Sequence, residues 1–161
     1  MKRLSEVEKV QSVDLSILDN MSMPLIERIE ILETQLKCHQ QQETSVTEYF
    51  ANGVYVREVV VPAGTFAIGG LHKFDHISIM VSGSLSMWTE YDGLQRLSGY
   101  NVVNAKAGVK RAGVFLEETK WVTAHANPEN RDDMLEYLTV PTYKDFKKFK
   151  QNELRKTRYL I

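Results

Sequence analysis

The chain has 161 residues, enough for one ordinary domain with extensions. Apolar residues make up 43% and charged residues 25%, so a packed core is expected and a disordered chain is excluded. The formal net charge of −1 argues against any function that rests on bulk charge, such as coating nucleic acid or an anionic membrane. One cysteine, Cys38, rules out a disulfide framework within the chain. The first residues alternate charged and apolar, unlike a secretory leader, and no run nears the roughly 18 apolar residues of a spanning helix. The expectation is a soluble, cytoplasmic protein with no membrane partner, and nucleic acid is not expected as a partner.

Residues 1–45 read as a helical arm. Ser5 and Glu8 have capping-box spacing. Pro24 suits a first helical position, and Leu25, Ile29, Leu32 and Leu36 follow at spacings of four, three and four. That stripe predicts a helix from Pro24 to about Gln41, docked on its own domain or on a second subunit. Residues 46–128 change texture to short strands between turn signals. Strands are expected at 46–50, 54–61, 65–68, 76–81, 85–91, 94–97, 101–103, 111–116 and 120–126. The punctuation is Asn52-Gly53, Pro62-Ala63-Gly64, Gly69-Gly70, Gly83, Asp92-Gly93, Ala107-Gly108 and Glu117-Glu118-Thr119. With no crossover helix among them, the pairing should be antiparallel in a sandwich, jelly roll or barrel. Residues 129–161 hold a short helix from Asp132–Met134 to about Leu138. A basic tail follows from Tyr143, with Phe146, Phe149 and Leu154 between the lysines and arginines, and reads as a solvated terminal helix or as an amphipathic basic helix for a partner surface or nucleic acid.

The chemistry-bearing stretch is Gly70-Leu71-His72-Lys73-Phe74-Asp75-His76, six residues before Gly83. It resembles the first motif of the cupin superfamily: a glycine, five residues, His-x-His, three or four residues, Glu, six residues, glycine. In that alignment His76 stands at the glutamate, His72 at the second histidine and Gly70 at the first. Gly108-Val109-Lys110-Arg111 matches the spacing of the second motif, with Arg111 in place of its histidine. The resemblance implies an all-β cupin or jelly-roll barrel, preceded by the helical arm and followed by the short helix and basic tail. It also implies a pocket for one divalent first-row metal (Zn, Fe, Mn or Ni) and a homo-oligomer.

His125 lies on the strand after Arg111. If Glu117-Glu118-Thr119 is a three-residue hairpin loop, Arg111 and His125 face each other across the strands; a two-residue loop puts Ala124 there instead. On the first register His72, His76 and His125 form a ligand set with open positions. Asp75, Glu90, Tyr91 and Thr123 are candidates to hold the second ring nitrogens. Lys110, Arg111 and Tyr91 are the candidate residues for a small anionic ligand, since guanidinium pairs bidentately with carboxylate or phosphate. Three readings remain open: a metal site, a metal-free anion pocket, and a polar interior with structural histidines. Trp88 and Trp121 read as packing residues and Glu117-Glu118 as a solvated turn. Walker, dinucleotide and Cys-x-x-Cys motifs are absent.

A narrower resemblance runs from about Val54 to Tyr143, to small cupin-like proteins of tailed phages. It is carried by Val56-Arg57-Glu58, Pro62-Ala63-Gly64-Thr65, His72, His76, Ser82-Gly83 and Thr89-Glu90. It continues through Ala107–Gly113, Glu117–Thr123, His125 and Asn127-Pro128-Glu129. It implies a bacteriophage setting in the host cytoplasm or the virion, with a phage or host protein as partner. It implies no particular activity, and an assembly role for the barrel as scaffold is the alternative.

Overall fold

The computed structural model describes residues 14–20, 22–39, 41–90 and 93–158. The Ser5–Glu8 box and Tyr91 lie outside the described residues. After a 3-10 turn at Ser16–Asp19 comes helix α1 (Leu25–Leu36). Strands β1 (Ser45–Ala51) and β2 (Gly53–Val61) form a hairpin about Asn52-Gly53, and β3 (Phe66–Ile68) and β4 (Leu71–His72) follow. Then come β5 (His76–Ser82), β6 (Ser84–Thr89), β7 (Gly93–Ser98), β8 (Asn101–Ala105), β9 (Ala112–Phe115) and β10 (Thr119–Asn127). Helix α2 (Met134–Leu138), β11 (Thr139–Val140) and helix α3 (Tyr143–Arg158) complete the chain.

The strands form a five-stranded sheet, β1-β2-β10-β5-β8, and a four-stranded sheet, β3-β9-β6-β7, with β11-β4 as a small third pair. Every pairing is antiparallel. From β2 onward the chain keeps crossing between the large sheets, which is jelly-roll connectivity. The expected barrel is not closed: β1, β8, β3 and β7 each keep an unpaired edge, so the architecture is two facing sheets with a cavity between them. At Gly83 the β5–β6 crossing meets the β9–β10 crossing. With φ +106° there, a Cβ would lie 2.6 Å from the Glu118 carbonyl oxygen, and only glycine fits.

Helix α1 covers the outer face of the four-stranded sheet. Leu25, Ile29 and Leu32 are buried against Phe66, Trp88, Ala112 and Val114, with Leu36 partly buried beside them. Of the two expected docking sites for the stripe, its own domain is the one observed. The helix stops at Leu36, short of Gln41, because apolar spacing ends there. The Leu36 carbonyl then accepts from the His39 N–H at 3.0 Å and from the Gln41 side-chain amide at 2.9 Å.

The basic tail is helical, as expected, and forms the sixteen-residue helix α3. Thr142 Oγ1 accepts from the Asp145 N–H at 3.2 Å and donates to the Asp145 carboxylate at 2.6 Å, so Thr142 caps the start of the helix. The Phe146 ring covers Gly108, where any Cβ would collide with it, and the Tyr143 N–H donates to Glu30 of α1 at 2.7 Å. No described helix is long and apolar enough to cross a membrane.

Candidate metal centre and ligand cavity

Strand alternation aims one side chain in two at the cavity. Across the five-stranded sheet this makes successive layers. His125 lies opposite Tyr55 on β2, with His76 at the start of β5 on the other side of β10. One step along, Thr123 lies between Arg57 and Ser78; beyond it, Trp121 lies between Val59 and Met80. The facing sheet contributes Ala67, Leu85, Met87, Gly113 and Phe115. The cavity is open to solvent on one side, has a volume of about 270 Å³, and runs from a histidine layer through a hydroxyl-and-arginine layer to an apolar end.

Separate devices hold the three histidines. His72 sits on β4, only two residues long, pinned by pairing with Thr139 of β11. The Gly108 N–H donates to the His72 carbonyl at 2.9 Å, and the Lys73 N–H to Leu138 at 2.8 Å. His76 follows a turn that Asp75 fixes by accepting from the Ala107 N–H at 2.8 Å and Lys106 Nζ at 2.9 Å. That contact removes Asp75 from the expected partners of the imidazoles. His125 is buried on the central strand of its sheet. Ring centroids lie 4.3 Å apart for His72–His76, 4.4 Å for His76–His125 and 5.1 Å for His72–His125.

One ring nitrogen from each histidine lies within 4.8 Å of the other two. Nδ1 of His72 and of His125 is buried without a hydrogen-bond partner, while His76 Nδ1 is 3.4 Å from the Phe74 carbonyl. Burial holds His72 down to about 3, reinforced by His76, His125, Arg111 and Arg57, and holds His125 down to about 4, reinforced by His76. Burial also lowers His76, against the Phe74 carbonyl. Three neutral imidazoles, two with buried unsatisfied nitrogens, fit a first-row divalent ion. Two nitrogens on one such ion lie at most about 4.2 Å apart, so the rings would close slightly around it. Gly70 supplies no ligand; a Cβ there would face His72 Nε2 at 3.7 Å.

The structure brings His72, His76, His125 and Arg111 to one cavity, but not by the expected hairpin. β9 pairs with β3 and β6, and β10 with β2 and β5, so Glu117-Glu118 is a crossing between sheets. Arg111, just before β9, reaches the cavity from the wall opposite His125. Lys110 is a correction. Its neighbour Arg111 points inward, so its own side chain points out, where it is 2% exposed and ion-paired with Glu33 of α1. Thr123 lines the cavity, Glu90 is exposed, and the expected role of Tyr91 falls outside the described residues.

Arg57 was not among the expected site residues. It lines the cavity, and its Nε is buried without a partner. The period-two run Tyr55, Arg57, Val59, Val61 on β2 was the available signal. No described carboxylate lies within ion-pairing distance of Arg57 or Arg111, and the cavity lining contains no Asp or Glu.

No family model and no curated protein sequence matches the chain. Solved structures do resemble it in fold. An RmlC-like cupin with a double-stranded β-helix fold from Methanocaldococcus jannaschii aligns at 15% identity and TM-score 0.45, over 56% of this chain and 86% of its own. KdgF from a Halomonas species aligns at 22% identity and TM-score 0.45, over 59% and 90%. A cupin-2 domain protein from Shewanella frigidimarina aligns at 15% identity and TM-score 0.42, over 62% and 98%. The class that sheet topology and site define for this chain is a jelly-roll protein with an internal cavity and a three-histidine group able to hold a metal.

Proposed function

We propose that this chain is a cupin-like small-molecule protein whose His72, His76 and His125 hold one divalent first-row metal, with Arg57 and Arg111 receiving an anionic group beside it. The carrying observation is the histidine cluster itself: three converging imidazole nitrogens at one end of a cavity free of carboxylates. A bound metal would supply a Lewis acid with open positions. The side chains do the rest. Neutral imidazoles offer lone pairs at neutral pH, the guanidiniums supply fixed positive charge, and Ser78 and Thr123 offer hydroxyls between them. The resemblance to small cupin-like phage proteins supports a phage setting, with action in the infected cell's cytoplasm.

Metal analysis of protein purified without chelator tests this. About one equivalent of Zn, Fe, Mn or Ni per chain is expected, with affinity reduced at least about tenfold in His72→Ala. Protein that carries no such metal, and takes up none of the four on titration, would overturn it.

One observation favours a second reading, the barrel as scaffold in an assembly of like chains. The outer face of the five-stranded sheet bares Tyr49, Val54, Ile77, Val81 and Val102 at 40–55% exposure, and β1 is exposed throughout. Light scattering that finds a monomer at all concentrations, together with absence of the chain from purified virions, would remove this reading.

A further inference from the structure

The apolar end of the cavity has no part in holding a metal, and Arg57 stands at its border. On β2 it lies one layer from the histidines and one layer from Val59. Its Nε is buried, and no described residue satisfies it, a costly state for part of a guanidinium. Glu48, opposite Arg57 on β1, accepts the Tyr55 hydroxyl and makes no ion pair with Arg57. Beyond Arg57 the walls are Val59, Leu85, Met87, Phe115 and Trp121. These carry no hydrogen-bonding group except the indole N–H. A sugar phosphate or nucleotide placed there would lose hydration from its hydroxyls without replacement.

We propose that the cavity takes a small organic monocarboxylate with an apolar, aromatic or branched body, its carboxylate at Arg57 and its body against Trp121, Phe115 and Met87. The cavity volume of about 270 Å³ exceeds the roughly 150 Å³ that suffices for a benzene-sized guest, so it can admit such an acid. This rests on the small-anion half of the function proposed above and not on the metal. Arg57 gives the acid its bidentate partner, and Arg111 adds positive charge from the opposite wall.

The test is calorimetric titration of the full chain, metal-free and zinc-loaded, with phenylacetate, neutral phenylacetamide, inorganic phosphate and glucose 6-phosphate, zinc content being measured on the same samples. Phenylacetate should bind at least about tenfold more tightly than the amide, with neither phosphate compound matching it. Arg57→Gln should lose about tenfold or more in phenylacetate affinity with zinc content unchanged, and Arg57→Lys should lose less. Trp121→Leu should weaken phenylacetate and leave acetate unaffected. Circular dichroism of each variant confirms that it is folded.

Equal binding of acid and amide, tighter binding of a phosphate compound, indifference to Arg57→Gln, or no phenylacetate binding up to about 10 mM would each overturn the proposal. Acid binding without zinc uptake would uphold it and sink the metal. Zinc uptake without acid binding would do the reverse.

Discussion

The two large sheets enclose one cavity and are built in opposite ways. The five-stranded sheet presents Tyr55, Arg57, His76, Ser78, Thr123 and His125 to the cavity, while its outer face is bare. The four-stranded sheet presents mainly apolar side chains inward, and its outer face lies beneath α1. Polar inward positions reduce the apolar area a sheet can bury on that side, at roughly 25 cal/mol per Å² of lost burial. The sheet with the chemistry therefore draws its apolar packing from part of its inner face. The other is packed on both faces.

That contrast can be broken experimentally, and the largest effect should come from the α1 seam. Leu32 is fully buried there, so Leu32→Ala should cost about 2–5 kcal/mol in urea unfolding. Val102→Ala on the bare face, where Val102 is 55% exposed, should cost under about 0.5 kcal/mol. Similar costs at the two sites would erase the distinction. Next comes the ion pair that ties α1 to the loop before β9. Glu33→Ala leaves the Lys110 ammonium buried without its partner and should cost about 3 kcal/mol. Adding Lys110→Met should recover most of that loss and leave metal uptake intact, because Lys110 points away from the cavity.

On the five-stranded side the changes should move binding more than folding. Zinc at about 100 times its dissociation constant should raise unfolding stability by about 2.7 kcal/mol, and a chelator should reverse the gain. His125→Ala should abolish the response; a full response in that variant would remove His125 from the ligand set. The smallest effect is on pH dependence. His72 is held to about 3 and His125 to about 4, against about 6.5 in the unfolded chain. Between those values the unfolded state binds more protons. The metal-free protein should therefore be fully stable above about pH 6.5, lose stability as pH falls toward 4, and drop by about 1 kcal/mol between pH 7 and pH 6. A urea midpoint that stays flat over that interval would contradict burial of neutral rings.

Several of these features were legible before any fold was known. The Leu25–Leu36 stripe and the glycine-bounded strands followed from periodicity, and most strand bounds agree within one or two residues. The histidine pair followed from the resemblance of Gly70–Gly83 to the first cupin motif. The hairpin argument linking Arg111 to His125 was wrong in its connection, because a three-residue turn and a sheet-to-sheet crossing look alike in sequence. Both residues still reach the cavity, from facing walls. Lys110 and Arg111 are chemically alike neighbours, and only the direction of the chain before β9 separates a buried structural cation from a cavity one. Arg57 was readable from alternation on β2, yet its depth between the histidines and Val59 depends on pairing with β10.

The sequence by itself determined the helix, the antiparallel strands and the identity of the imidazoles, because these depend on local periodicity and on residue chemistry. The tertiary structure decided that the barrel stays open as two sheets, that α1 packs on its own domain, and that the helix of the basic tail docks with Phe146 over Gly108 and the Tyr143 N–H on Glu30. It also decided how His72 is held. Its two-residue strand is fixed by Thr139, a partner far along the chain that no spacing motif records. Long-range pairing sets which side chains share a cavity and how deep each sits, and neither quantity is encoded in a window of neighbouring residues.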